Sequence, residues 1–374
     1  MKAKIKVLHL CKTYYPDTFG GVEQVVRTLC QYSDLHHIEA AICTVSPSAQ
    51  SISLAVEEGC QVWRFPETLS LASSPFSASL FMQFHALAKK YDVIHCHFPW
   101  PFADLLVLLR PMGCRLLITY HSDVVRQKYL GRIYSPLQQR FLSQARAVVA
   151  TSDNYVASSP VLQRFVKKVQ TIPLGMDFPG WALGPRREVV HLPSATPYFV
   201  FIGGFRYYKG LKYLLEAMSQ VNAHLVLIGD GADRNSYEIL ADHYAPGRVH
   251  FLGAVDDRAK FAVLADAYAF VFPSHVRSEA YGLGLVEAAM MGKAMISCEM
   301  GTGTSFVNVN GLTGLTVPPA NVDALAKAMR QMLAQPELVE QMGENALHRY
   351  TTELTAAKMA GAYADLYTRL LQTE

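Results

Sequence analysis

The stretch Ser278-Glu279-Ala280-Tyr281-Gly282-Leu283-Gly284-Leu285-Val286-Glu287-Ala288-Ala289-Met290-Met291-Gly292 reads as a loop running into a helix. Glu279 falls on the loop and Glu287, eight residues later, inside the helix. Gly282 and Gly284 stand between them, where the helix begins. An apolar, strand-like run at 267–273 comes before, and Gly292 follows as a helix C-terminal cap ahead of a second short strand at 294–298. A strand, a glycine-bearing loop and a helix N-terminus make an anion site, because the first N–H groups have no intrahelical partner and the helix dipole favours negative charge. Two acids beside such a site do not bind phosphate. They accept hydrogen bonds from sugar hydroxyls. The pattern suggests a ligand that is part diphosphate and part sugar.

The same strand–helix alternation extends in both directions. Strand patterns at 5–10, 38–45, 61–65, 93–97, 115–120 and 147–151 alternate with helical segments such as 22–32 and 78–90. A Gly/Pro-bearing segment at 174–185, with Pro193 and Pro197 beyond it, reads as a linker. The pattern then restarts, with strands at 198–202, 224–228, 249–251, 267–272, 294–298 and 314–317. Helices lie near 210–218, 233–245, 257–264, 283–291 and 322–333, and an amphipathic helix at 354–371 ends the chain. Alternation of this kind implies parallel sheets covered on both faces. The expected fold is α/β, with two doubly wound Rossmann-like domains, 1–180 and 181–355, and a final segment, 356–374. Open parallel sheets bind ligands beyond the carboxyl ends of their strands, so two of them are expected to face a central cleft.

Bulk properties agree with a packed two-domain protein. The chain has 374 residues, 51% hydrophobic and 17% charged, which exceeds one ordinary core and excludes disorder. No apolar run approaches the roughly 18 residues of a membrane span, and the N-terminus enters a strand without a signal core, so a cytoplasmic protein is expected. The seven cysteines form no Cys-x-x-Cys pair and read as buried thiols. The net charge is +3. Between 124 and 152 there are five basic residues, Arg126, Lys128, Arg132, Arg140 and Arg146, and no acid. With Tyr129, Tyr134 and Phe141 interleaved, this segment suits an anionic membrane surface or a phosphorylated acceptor, although a solvated helix face has the same composition. The chain as a whole is too weakly basic to suggest nucleic acid.

Other groups fall at strand ends. Gly20-Gly21 permits close backbone approach or positive φ, or is an ordinary turn, and the Gly-x-Gly-x-x-Gly of a nicotinamide cofactor is absent. His121 caps a strand and can donate to a sugar hydroxyl or pair structurally with Asp123. His95 and His97 face one way along a strand, but a metal site needs a third ligand that sequence does not supply, so no metal is expected. Arg206 and Lys209 stand on the loop after the first strand of the second domain, where two cations suit a departing pyrophosphate.

Together these residues resemble retaining glycosyltransferases of the GT-B fold, family 4, over nearly the whole chain. The family's Glu-x7-Glu segment is matched by Glu279, Gly282, Leu283 and Glu287, with Tyr281 in the aromatic position. The resemblance implies that Glu279 contacts donor-sugar hydroxyls, the N–H groups around Tyr281–Leu283 hold phosphate, and Glu287 holds the ribose. It likewise implies that Gly20-Gly21 is the first glycine loop, His121 the histidine near the donor sugar, Lys209 the diphosphate-binding lysine and Val255 the backbone cradle of the base. The chain departs from the pattern at Gly204, where the family's arginine belongs; Arg206 is the nearest substitute. Glu299–Asn308 and Lys12–Pro16 look like a subgroup that builds bacterial surface polysaccharides, some of whose members use GDP-mannose or related GDP-sugars.

The resemblance therefore implies metal-independent, front-face transfer, with no cofactor beyond a nucleotide-sugar donor, GDP favoured over UDP. The acceptor would be a glycan or lipid-diphosphate-linked glycan, reached from the cytoplasm or from the inner face of the membrane. The last helix would pack back on the first domain. A UDP-sugar-dependent transferase, a GT-B nucleotide-sugar epimerase and a non-catalytic GT-B scaffold are the competing readings.

Overall fold

The computed structural model describes residues 4–71, 74–109, 115–124, 128–178 and 196–372, with backbone alone for 128–133. The chain forms two compact units. Unit 1 is Met1–Met176 together with Thr355–Glu374, and unit 2 is Asp177–Leu354. The boundary therefore lies four residues before the one read from sequence.

Unit 1 contains β1 (Ile5–Leu10), β2 (Ile38–Ser46), β3 (Ser53–Glu57), β4 (Cys60–Pro66), β5 (Leu69–Leu71), β6 (Ser74–Phe76), β7 (Val93–Phe98), β8 (Arg115–Tyr120), β9 (Ala147–Ala150) and β10 (Val169–Thr171). Eight of these make one sheet in the order β10-β9-β8-β7-β1-β2-β4-β3, and β5 and β6 pair antiparallel in a separate two-stranded sheet. Pairing in the large sheet is parallel except at the β3–β4 edge. The central strands are buried almost throughout, which fits their near-continuous apolar sequence. The edge hairpin was not legible in the sequence. It turns at Glu58-Gly59, both at positive φ, the geometry of a primed two-residue turn. Arg27 Nε and Gln31 Nε2 each donate to Glu58 at 2.7 Å and tie the turn to the helix Gly21–Gln31.

Unit 2 contains β11 (Tyr198–Ile202), β12 (His224–Ile228), β13 (Val249–Gly253), β14 (Ala269–Phe272), β15 (Met295–Cys298) and β16 (Gly314–Val317). Their order is β13-β12-β11-β14-β15-β16, all parallel. Strand order reverses between β11 and β14 here, and between β1 and β7 in unit 1. Such switch points are where doubly wound sheets open to ligands.

A long helix, Pro336–Glu353, stands where no helix was expected. Gln335-Pro336 reads as a break, and Pro336 instead occupies the helix's first turn, where its missing N–H costs nothing. The chain's final helix, Ala356–Gln372, belongs to unit 1. Its Tyr363, Leu366, Tyr367 and Leu370 are buried. Tyr363 Oη lies 2.8 Å from Thr119 Oγ1 and Tyr367 Oη 2.8 Å from His95 Nδ1, so polar bonds seat the helix on β7 and β8.

Candidate functional site

In unit 2, the loops after β11 and β14 meet at the switch point. The first runs through Gly203, Gly204, Phe205 and Arg206 into a single 3-10 turn, Tyr207–Lys209. Gly210 then adopts φ 71°, and a Cβ there would collide with the Pro273 carbonyl. The His275 N–H donates to the Tyr208 carbonyl at 3.0 Å and binds the two loops together.

These constraints place Lys209 Nζ 2.5 Å from Glu279 Oε2. Ser274 Oγ, fully buried, donates to the same oxygen at 3.1 Å. Lys209 Nζ also lies 4.6 Å from the centre of the Phe272 ring, a cation–π contact. A largely buried acid and base therefore neutralise one another beside the N-terminus of the helix Leu283–Met290.

That helix is fixed at both ends by glycine. Gly282 caps it at φ 86°, and a Cβ there would lie 2.9 Å from Phe272 Cε1. At the far end Gly292 is left-handed (φ 63°). Its N–H bonds to the Ala289 carbonyl at 3.0 Å and the Lys293 N–H to the Ala288 carbonyl at 2.9 Å, a Schellman closure. The N–H groups of Leu283 and Gly284 open the helix and have no carbonyl of their own helix to meet. Tyr281 is buried against Gly303 and Phe306, so its side chain belongs to the core.

Glu287 is buried one turn from the helix end and accepts from Lys260 Nζ at 2.7 Å. Lys260 also reaches Asp257 at 2.8 Å. Burial alone would lower the pKa of Lys260, but Glu287 and Asp257 outweigh it and raise the pKa above its ordinary value. Half-buried Val255 stands just before Asp256, whose carboxylate caps the helix carrying Lys260. Sequence reading missed Ser274, which reaches Glu279 across an irregular loop with no period to place it, and Lys260, which meets Glu287 through tertiary contact.

At Gly204 there is room for a side chain. A Cβ would meet only Arg206 Nε at 3.8 Å and the Asp230 carbonyl at 3.9 Å, both ordinary contacts. The Arg206 side chain thus approaches the position from which the family's arginine would project.

In unit 1, the loop after β1 folds onto the helix Gly21–Gln31. The Glu23 carboxylate accepts from Thr13 Oγ1 at 2.8 Å and Thr18 Oγ1 at 2.7 Å. Gly20 and Gly21 are exposed at the helix start. Gly20 is extended (φ −127°), so the positive φ allowed for in the sequence reading is not used. What a side chain at Gly20 would disturb is Glu23, whose Oε2 lies 2.5 Å from a Cβ there.

His121 follows β8 and is buried. Its Nε2 lies 2.9 Å from His97 Nδ1, and His97 Nε2 lies 3.0 Å from His9 Nδ1. Asp123 accepts from Tyr120 Oη at 2.9 Å and Ser159 Oγ at 3.0 Å. His95 and His97 do share a face, with ring centres 4.3 Å apart. His9 is the third imidazole that sequence did not supply: it pairs in register with His95 across β1 and β7. Ligand atoms of His9, His95 and His97 lie within 4.8 Å of one another. Burial pushes His9 down to about 3, His121 down to about 4, and His95 and His97 well below the usual range, so all four are neutral at pH 7.

The described cysteines are free and buried, and burial pushes the Cys298 thiol up to about 12. Arg126 lies outside the described residues, as do the side chains of Lys128 and Arg132. Among the described residues no helix is long and apolar enough to cross a membrane.

Two family models match the chain: Glycosyltransferase Family 4 over residues 19–178 and Glycosyl transferases group 1 over 186–349. WbpZ, a D-rhamnosyltransferase of Pseudomonas aeruginosa, is 42% identical over 94% of this chain and 93% of its own. O-antigen chain mannosyltransferase C of Escherichia coli is 38% identical over 99% of this chain and 100% of its own. Among solved structures, a sucrose-phosphate synthase of Thermosynechococcus elongatus aligns with a TM-score of 0.81 at 23% identity, covering 99% of this chain and 100% of that one. Anabaena HepE in complex with UDP aligns at 0.76 and 16%, covering 98% and 100%. The fold is GT-B.

Proposed function

The chain belongs to glycosyltransferase family 4, and from that premise we propose that it moves a manno-configured hexose from a GDP-sugar onto a growing bacterial surface polysaccharide or lipid-linked glycan, with retention at the anomeric carbon. One observation carries the reading: Lys209 and Glu279 are paired at 2.5 Å beside the N-terminus of the helix Leu283–Met290. A diphosphate offers Lys209 a stronger anion than one carboxylate, and sugar hydroxyls offer Glu279 the donors it would lose. Donor binding thus exchanges one buried pair for two complementary contacts. Glu287, already held by Lys260, takes the ribose hydroxyls, and the backbone at Val255 takes the base.

In this scheme the bond from the anomeric carbon to the diphosphate oxygen breaks as the acceptor oxygen bonds to the same face. The acceptor proton passes to the leaving phosphate. Lys209, Arg206 and the helix N–H groups stabilise the charge that develops there. Arg206 acts for the arginine absent at Gly204. These cations occupy the role a divalent ion would fill, so transfer is expected to proceed unchanged in EDTA.

Mannose and rhamnose share one ring configuration, rhamnose being the 6-deoxy sugar, so the two bacterial relatives support a manno-configured donor. The test is a thermal-shift panel of GDP-mannose, GDP-D-rhamnose, UDP-glucose and dTDP-sugars. A donor at 100 times its Kd adds about 2.7 kcal/mol of stability. Stabilisation by UDP-glucose alone would replace the donor assigned here, and an inverted anomeric centre in the product would remove the retaining mechanism. Peripheral association through Arg126, Lys128 and Arg132 is checked by co-sedimentation with anionic liposomes, which neutralising the three should abolish.

A further inference from the structure

We propose that His9 and His97 are positioning residues that lock the tautomer of His121 to their own, and that the chain rests in the setting in which His121 presents a protonated Nδ1 to a sugar hydroxyl of the substrates. This rests on the reading of unit 1 as half of a glycosyltransferase, and it concerns atoms that the reading leaves unused.

The three rings form one chain across β1, β7 and the end of β8. His9 Nδ1 meets His97 Nε2 at 3.0 Å, and His97 Nδ1 meets His121 Nε2 at 2.9 Å. All three are buried and neutral, so each carries one N–H and one lone pair. His97 uses both nitrogens, and must therefore donate at one and accept at the other. The polarity then propagates. When His121 carries its proton on Nδ1, its Nε2 accepts from His97 Nδ1–H, and His97 Nε2 accepts from His9 Nδ1–H. In the opposite register all three protons sit on Nε2 and His121 offers a bare lone pair. A mixed register sets two N–H groups or two lone pairs against each other at about 3 Å, where burial makes an unmade hydrogen bond costly. The chain therefore has two settings. Only the first makes His121 a donor.

His95 stands outside the chain although its ring lies 4.3 Å from His97. Its two nitrogens are engaged by Tyr367 Oη at 2.8 Å and Thr119 Oγ1 at 2.7 Å. A divalent ion held by His9, His95 and His97 would have to break contacts in both sets and would bring charge that no carboxylate of that cluster offsets.

The test reads ring 15N shifts of the full chain in EDTA, alongside steady-state transfer. All three histidines are expected as Nδ1–H tautomers. In His97→Asn the amide stands in for Nδ1–H and keeps His121 in that form, with transfer within about threefold of wild type. His97→Gln keeps only the contact toward His9. There His121 loses its fixed tautomer, and kcat falls at least about tenfold while donor KM changes little. Should His97→Gln fail to fold, His9→Asn against His9→Gln makes the same comparison one ring further along. Three results overturn the proposal: His121 protonated at Nε2 in the wild type, indistinguishable spectra and rates for the Asn and Gln variants, or a tautomer pattern that needs added zinc. Undiminished transfer by His121→Ala would instead sink the role given to His121 in sugar transfer, while the spectra still report on the chain itself.

Discussion

Glu279 is pinned by two neighbours, Lys209 at 2.5 Å and Ser274 at 3.1 Å. Replacing it with Ala removes the sugar contact proposed for it and leaves Lys209 without its acid. Transfer should fall by roughly a thousandfold or more, with the far-ultraviolet spectrum of the folded chain retained; normal transfer would remove Glu279 from the site. The two glycines on the neighbouring loops predict opposite outcomes. Gly282→Ala must hold a side chain at φ 86° against Phe272 and should cost about 1–3 kcal/mol by chemical denaturation. Gly204→Arg meets only ordinary contacts and should change stability by less than about 0.5 kcal/mol. Glu279 and Glu287 stood out because loop, glycine and helix are adjacent in sequence, and Lys209 because its own loop leads into a helix; that Lys209 meets Glu279 is seen only in the fold. Lys260 was not, since it lies 27 residues before Glu287 and reaches it only once the helices pack.

Among elements, the helix Pro101–Leu109 is joined to the helix Lys128–Gln144 by a buried polar pair: Tyr134 Oη donates to Asp104 Oδ2. Burial pushes the Asp104 carboxyl up to about 8. The folded chain thus keeps a proton there to about pH 8, whereas the unfolded chain releases it near 4. Between those values the folded state binds more protons, so this group's contribution is full below about pH 4 and is lost as pH rises to about 8. Asp104→Asn should flatten that slope, stabilising the protein at pH 8 by an amount of order a few kcal/mol relative to wild type. A slope unchanged by the substitution would show that Asp104 does not titrate in this range. Twelve of the sixteen described strands and most helices were readable from period and caps; the short β5, β6 and β10 were not. The helix Pro336–Glu353 was hidden by its opening proline, and the β3–β4 hairpin by an Glu58-Gly59 turn that lacks the usual Asn-Gly signal. The histidine chain was hidden for a different reason: it depends on β1 lying beside β7, which sequence order does not state.

At the level of the whole molecule, two doubly wound sheets were legible from repeated strand–helix alternation, because each half carries the full pattern by itself. The assignment of the last helix came only through family resemblance, since nothing in an amphipathic period says which sheet it will cover. Deleting residues 355–372 uncovers β7 and β8 and leaves His95 and Thr119 without Tyr367 and Tyr363. The uncovered polar groups can pair with water, so the cost is chiefly the lost apolar cover, about 1.5–3 kcal/mol for each buried leucine such as Leu366 and Leu370, and unit 1 should melt well below its position in the full chain. A single unshifted transition in that deletion variant would show that the helix contributes little. The same arrangement gives synthesis a direction. Domains usually fold in the order they leave the ribosome, but here unit 2 emerges complete while the sheet of unit 1 still waits for its last helix. The half of the protein that is made first is therefore finished last, and its uncovered sheet is the surface a chaperone would meet during the interval.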